Sequence, residues 1–209
     1  MDFTFDVIAA DEHDRLQALY APLTQAIRDL VQAGIRTGVD EDSIREAQRA
    51  IEAVTATLDR IHHDDNPRMR HAETERPVVW ANPVIGQRNA LAPPLTVHHD
   101  GDGRCWSEFE LGAAYEGPPG WVHGGICALV LDHVLGEAAS SGLSKPLFTG
   151  TITCKYLRGT PLGPLRVEAF AERVEGVKTF ARGYLSDADG VTVEAEGVFI
   201  MPAWARDAG

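Results

Sequence analysis

The run Ile126-Cys-Ala-Leu-Val-Leu-Asp-His-Val-Leu-Gly-Glu-Ala-Ala139 constrains the fold more than any other stretch of this chain. It is too long and too rich in helix formers for a strand, and it stops at Ser140-Ser-Gly142. A helix that is apolar nearly all round has to be surrounded. The flanking sequence supplies a surround with a different period. Cys105, Ser107, Phe109 and Leu111 alternate with Trp106, Glu108 and Glu110, and the rhythm recurs near 149–158, 164–173, 177–186 and 191–200. Gly163-Pro-Leu165, Glu175-Gly176 and Asp187-Ala-Asp-Gly190 make the turns between these strands, short enough for antiparallel hairpins. The expected fold is α+β, an antiparallel sheet wrapped around one central buried helix.

The N-terminal third reads differently. Leu16, Leu19, Tyr20, Leu23, Ile27, Leu30 and Val31 form a helical stripe within 11–35, ending near Gly34. Ile44, Ala47, Ile51, Val54, Leu58 and Ile61 form a second one, and Ser43 with Glu46 has the form of a capping box, so the second helix is expected from Ser43 to about His62. Two adjacent amphipathic helices suggest a hairpin, serving as an oligomerisation arm, a lid, or a layer that completes the core. Residues 64–94 have little periodicity and contain Pro67, Pro77, Pro83, Pro93 and Pro94, which marks a connecting segment. The expected division is a helical extension over 1–70, a connector over 71–94 and the sheet-and-helix domain over 95–209.

Composition narrows the function classes. The 19 Lys and Arg against 31 Asp and Glu give a formal charge of −12, which disfavours nucleic acid and anionic lipid as partners. No apolar run approaches the ~20 residues of a membrane span, so stable membrane insertion is not expected. Cys105, Cys127 and Cys154 suit neither a disulfide framework nor a CxxC metal knuckle. With an N-terminus that lacks the basic and apolar regions of a secretory leader, the expected compartment is cytoplasmic.

The stretch that carries chemistry is Glu116-Gly-Pro-Pro-Gly-Trp-Val-His-Gly-Gly125, just before the buried helix. His123-Gly124-Gly125 presents backbone N–H groups at the positive end of a helix dipole, where an oxygen gaining negative charge is stabilised. Asp132, a carboxylate in the middle of an apolar helix, is either a structural acceptor or a functional base. It lies nine positions after His123, about 13.5 Å along a helix, too far to act on a carbonyl held at its own helix start. A second copy packed antiparallel across a two-fold axis brings the two together, so the spacing suggests a homo-oligomer with active sites at the dimer interface.

The run from Glu116 through His123-Gly124-Gly125 to Asp132 closely resembles the helix entrance of hot-dog-fold acyl-CoA thioesterases of the PaaI-like and thioesterase-superfamily-member branch. The likeness continues at Asn89-Ala-Leu-Ala-Pro-Pro94, at Thr149, and through Tyr156-Leu-Arg158 to Pro161-Leu-Gly163, covering roughly 86–202. It implies a hot-dog fold, an acyl-CoA substrate and hydrolysis to free acid and CoA without a cofactor. It also implies carbonyl polarisation by Gly124, Gly125 and the His123 region, Asp132 as general base or nucleophile, and Thr149 positioning water. Gly117 stands where many such proteins carry Asn or Gln. Lys145, Lys155, Arg158, Arg166, Arg173, Lys178 and Arg182 against three glutamates give 145–182 a net +4. Tyr156, Arg158, Lys155, Lys178 and Arg182 are accordingly the expected substrate contacts. The alternative is a non-catalytic acyl-CoA-binding or regulatory hot-dog protein; a hydratase would need a second acid/base group that the sequence does not offer. His62-His-Asp-Asp65 and His98-His-Asp100 lack metal-ligand spacing, and no metal is expected.

Overall fold

A computed structural model describes residues 5–61, 68–93, 95–100 and 103–206, which leaves His62-His-Asp-Asp65 outside the described residues. The chain enters through a short strand, β1 (Asp6–Ile8), and two helices, α1 (Ala10–Arg36) and α2 (Glu41–Leu58). β2 (Met69–His71) pairs in parallel with β1 and antiparallel with β3 (Pro77–Val78), so this small sheet spans the expected boundary at residue 70. Then follow β4 (His98–His99), β5 (Arg104–Leu111), a 3-10 turn at Ala113–Tyr115 and the central helix α3 (Gly124–Ala139). β6 (Phe148–Tyr156), β7 (Gly163–Glu175), β8 (Lys178–Asp187) and β9 (Gly190–Ile200) complete a six-stranded antiparallel sheet of order β4-β5-β7-β8-β9-β6. This is the expected hot-dog arrangement.

The alternation read from the sequence is what lets the sheet hold α3. Cys105, Phe109 and Leu111 on β5, Leu165, Val167 and Ala169 on β7, Ala181 and Leu185 on β8, and Val193, Ala195 and Phe199 on β9 all face inward and are buried. They meet Cys127, Val130, Leu131, Val134 and Leu135 of α3, each essentially inaccessible. Each fully buried aliphatic side chain stabilises the fold by about 1.5–3 kcal/mol. Gly183 allows the close approach of helix to sheet, since a Cβ there would stand 2.8 Å from the Glu168 carbonyl and 3.3 Å from Leu135 Cδ2.

The N-terminal helices depart from expectation in three ways. α2 starts two residues early because Asp40, not Ser43, is its cap: Asp40 Oδ1 accepts from the Ser43 N–H at 2.9 Å. It ends at Leu58, short of His62. No hairpin forms. The backbone is extended at Thr37 and at Asp40, and no described element packs along α2. α1, by contrast, is anchored to the body through Gln32, whose Oε1 accepts from the Ala113 N–H at 3.0 Å. No described helix is long and apolar enough to cross a membrane.

Candidate active site

The loop before α3 is pinned by backbone hydrogen bonds from three directions. Val122 N–H donates to Thr160 O at 2.8 Å, His123 N–H to Tyr115 O at 2.9 Å and Gly117 N–H to Trp121 O at 2.9 Å. His123 is the N-cap, and its Nδ1 accepts from Gly125 N–H at 3.0 Å. This bond makes Nδ1 the acceptor, so the ring proton of the neutral imidazole sits on Nε2, facing out of the cap. It also divides the two glycines. Gly125 N–H is engaged by His123, whereas among the described residues nothing accepts from Gly124 N–H, which is left as the free donor at the helix start. Position 117 lies directly against this cap, since a Cβ on Gly117 would come within 2.8 Å of His123 Cα. The loop is built for glycine there.

Tyr156, one of the expected substrate contacts, donates its hydroxyl to the Gly124 carbonyl at 2.8 Å. Burial pushes its phenol above the usual tyrosine range, which keeps the donor proton in place. The ring thus braces the glycine turn while half of it stays exposed.

Asp132 projects from the middle of α3 and is half-buried rather than enclosed. Its Oδ1 accepts from the Thr149 hydroxyl at 2.9 Å, which brings together two of the expected residues from 17 positions apart. A β-bulge aims Thr149: it pairs with Phe199 and Thr151 pairs with Val198, leaving Gly150 as the extra residue. A Cβ at Gly150 would meet Ile200 Cδ1 at 2.6 Å, a contact with the flexible end of a side chain that can shift to relieve it. Eight residues of one helix separate Asp132 from Gly124, about 12 Å.

The buried carboxylate of α3 is a different residue. Glu137 is wholly inaccessible, and Arg76 Nη2 donates to both its oxygens at 2.9 Å. His99 Nε2 lies 3.0 Å from Oε2, and His133 Nε2 lies 3.4 Å from Oε1. Burial alone would raise the Glu137 pKa, but the His133 and His99 imidazoles and the Arg76 guanidinium outweigh it and hold the carboxyl at about 2. Burial, reinforced by the Glu137 charge, pushes the neighbouring Cys105 thiol to about 12. Sequence reasoning fixed on Asp132 and passed over Glu137, although His133 and Glu137 at i and i+4 within an apolar helix carried the same signal. His98 points elsewhere, stacking on Trp106 with ring centroids 4.4 Å apart.

The basic residues expected to meet CoA do not converge. Lys155 lies 3.7 Å from Glu194, and Arg182 donates to Glu196 at 2.9 Å with Glu172 at 3.6 Å. Both, with the exposed Lys178, lie on the sheet face opposite α3. Arg158 is held by Asp187 Oδ2 at 2.8 Å and by the Gly190 carbonyl at 2.8 Å, clasping the β8–β9 turn. The +4 of residues 145–182 is offset by acids outside that window.

The geometry stands beside clear likenesses. A family model described as the thioesterase superfamily matches residues 119–194, from the glycine loop to β9. An acyl-coenzyme A thioesterase THEM4 of Xenopus laevis is 33% identical over 95 residues, 44% of this chain and 42% of that protein. An acyl-coenzyme A thioesterase THEM5 of Mus musculus is 31% identical over 96 residues, 44% and 38% of the two chains. The matched regions span less than half of either relative. A crystal structure of protein RHA08564, described as a thioesterase superfamily protein, superposes with a TM-score of 0.78 at 34% identity and covers 87% of this chain and 90% of its own. That likeness takes in the N-terminal helices as well as the sheet, and on its strength the chain belongs to the thioesterase superfamily.

Proposed function

We propose that this protein is an acyl-CoA thioesterase whose active site is shared between two copies of the chain. The observation that carries the reading is the Thr149–Asp132 hydrogen bond at one place on α3 and the free Gly124 N–H about 12 Å away on the same helix. Each is half of a hydrolytic site, and one subunit keeps the halves apart. β6 offers the means of joining them. It is a nine-residue edge strand with β9 on one side only, it is exposed along most of its length, and Phe148, Tyr156 and Leu157 leave apolar surface there. An edge of this kind invites pairing with another strand. Antiparallel pairing of β6 with β6 of a second copy sets the two α3 helices side by side in opposite directions, with Asp132 of each near Gly124 of the other.

In the proposed reaction the Asp132 carboxylate takes a proton from water, and the oxygen attacks the thioester carbonyl carbon. The carbonyl oxygen becomes an oxyanion that Gly124 N–H stabilises at the positive end of the helix. Collapse breaks the C–S bond, releases CoA thiolate and leaves the free acid, while the proton held by Asp132 returns to the thiolate. Thiolate is a good enough leaving group that one base and one oxyanion donor suffice. The two relatives named as acyl-coenzyme A thioesterases support acyl-CoA as the substrate class.

The test is complementation. Gly124 is the first residue of α3, where proline is well tolerated, and His123 already has φ −60° and ψ 131°, the conformation favoured before proline. Gly124→Pro therefore deletes the donor N–H with the helix kept. Tag-purified heterodimers of a Gly124→Pro chain and an Asp132→Asn chain carry one site with both lesions and one with neither. Released CoA, followed with a thiol reagent over a ladder of acyl-CoAs, should recover to about half the wild-type rate per heterodimer while each homodimer is inactive. Inactive, well-folded heterodimers would overturn the shared site, and no CoA release by wild type on any acyl-CoA would overturn the activity.

A further inference from the structure

α2 has no buried residue. Ile44, Ile51, Val54 and Leu58 are 41–55% exposed, and Ile61 just beyond the helix is more exposed still. With Ala47 these positions follow steps of three, four, three, four and three, the a/d spacing of a coiled-coil seam rather than the wider stripe of a helix lying on a sheet. From Ser43 to Thr57 the positions flanking the seam are Ser43, Gln48, Ala50, Thr55 and Thr57, all uncharged. The charges lie away from the seam and are largely satisfied within the helix: Arg45 donates to Glu41 at 2.7 Å and to Asp42 at 3.0 Å. We propose that α2 is a self-association element whose apolar seam packs against α2 of a second copy of this chain.

Charge selects this occupant. Identical seams with an uncharged rim meet without like-charge repulsion. A membrane surface is disfavoured, because the polar face has Glu41, Asp42, Glu46 and Glu52 against Arg45 and Arg49 and no lysine, the reverse of a helix that binds anionic lipid. Area sets the role. A strip along the ~27 Å of α2 and ~10 Å wide offers about 300 Å² per partner, against the roughly 800 Å² of a standard stable interface. The seam therefore works beside another contact between copies, for which the β6 pairing proposed above is the candidate, so that the α2 helices meet at a high effective concentration.

Disulfide trapping tests the seam directly. Antiparallel packing sets Ile51 opposite Val54 of the second copy, and parallel packing sets Ile51 opposite Ile51. Ile51→Cys alone and an equal mixture of Ile51→Cys and Val54→Cys chains are oxidised in a glutathione buffer beside Arg49→Cys, which puts the thiol on the outer face. All three positions are on an exposed helix, so folding is preserved. The expected result is an α2-to-α2 disulfide, identified by peptide mapping, forming about tenfold faster in one of the seam arrangements than at Arg49→Cys. No such disulfide, equal rates at Arg49→Cys, or linkage of α2 to Cys154 in the sheet would overturn the proposal. Lost trapping with intact active-site complementation counts against α2 alone; trapping without complementation counts against the shared site alone.

Discussion

Two carboxylates five residues apart on α3 are held in opposite ways. Glu137 is sealed in the core and gripped by Arg76 from the connecting segment and His99 from β4, with His133 of its own helix 3.4 Å away. Asp132 is half-exposed, and the hydrogen bond given to it comes from the neutral hydroxyl of Thr149. A buried anion surrounded by cationic or cation-capable groups is committed to structure, and little of its basicity is left for a substrate. A carboxylate at the rim, oriented by a hydroxyl that carries no charge of its own, has room for water beside it. The same helix thus fastens the N-terminal layer at one end and presents further along the carboxylate proposed above as the base, and the two carboxylates differ in what surrounds them rather than in their own chemistry.

The sharpest way to break this comparison is Glu137→Gln. The amide leaves Arg76 facing a neutral group; because the Arg76 side chain is 36% exposed and solvent screens it, the loss should fall below the roughly 3–5 kcal/mol of breaking a fully buried pair. Denaturant unfolding should show that loss at neutral pH, with thioesterase activity retained wherever the variant is folded. The pH dependence has a definite sign. The folded-state pKa of Glu137 is depressed, from the ordinary 4.5 to about 2, so its contribution is fully present above about 4.5 and is lost as the pH falls toward 2. The stability gap between wild type and variant should therefore narrow across that window. A gap that stays constant down to pH 2 would show that the carboxylate charge is not what holds Arg76.

Asp132→Asn is the converse substitution. It keeps the shape and the contact with Thr149 but removes the base, so kcat should fall by ~10² or more with little change in KM, the scale of a lost general base. Its melting temperature should stay close to that of wild type, because a half-exposed carboxylate bonded to one hydroxyl contributes little to stability. Near-normal turnover, or a stability loss rivalling that of Glu137→Gln, would erase the distinction between the two residues.

What was legible in the sequence follows the range of the interactions. α3 announced itself as an apolar run with helix formers, and the sheet as period-two alternation, because both are local consequences of burial. His123-Gly124-Gly125 and Asp132 were legible because a helix start and a charge in an apolar helix are local anomalies. Glu137 is the same kind of local anomaly and was passed over; its partners were not legible, since Arg76 and His99 reach it from 61 and 38 residues away. The true cap of α2 was misread for a different reason: Asp40 and Ser43 are both good caps, and Asp40 lies where the backbone is still extended. Counting charges over 145–182 misled because strand neighbours such as Glu194 and Glu196 are close in the sheet and distant in the chain. The bulge at Gly150, which aims Thr149 at Asp132, depends on cross-strand register that the alternation does not specify.

The smallest effect is expected at Thr149, where the comparison is sharpened rather than broken. If its hydroxyl only orients Asp132, deleting it leaves the base in place and costs a fraction of what removing the base costs. Thr149→Val keeps the branched shape that suits a strand and removes the donor of the 2.9 Å bond, so kcat should fall by about tenfold, which is 1.4 kcal/mol and within the worth of one hydrogen bond to a charged group. Stability should hold, because valine keeps the branched shape of threonine and has good β propensity. Thr149→Ser supplies the control: it restores the hydroxyl without the methyl group and should recover most of the lost rate, which a packing role for the methyl would not allow. A valine variant as slow as Asp132→Asn would mean that the carboxylate cannot work without this hydroxyl and that the two residues form one catalytic unit. A valine variant at the wild-type rate would remove Thr149 from the site and leave Asp132 oriented by α3 alone.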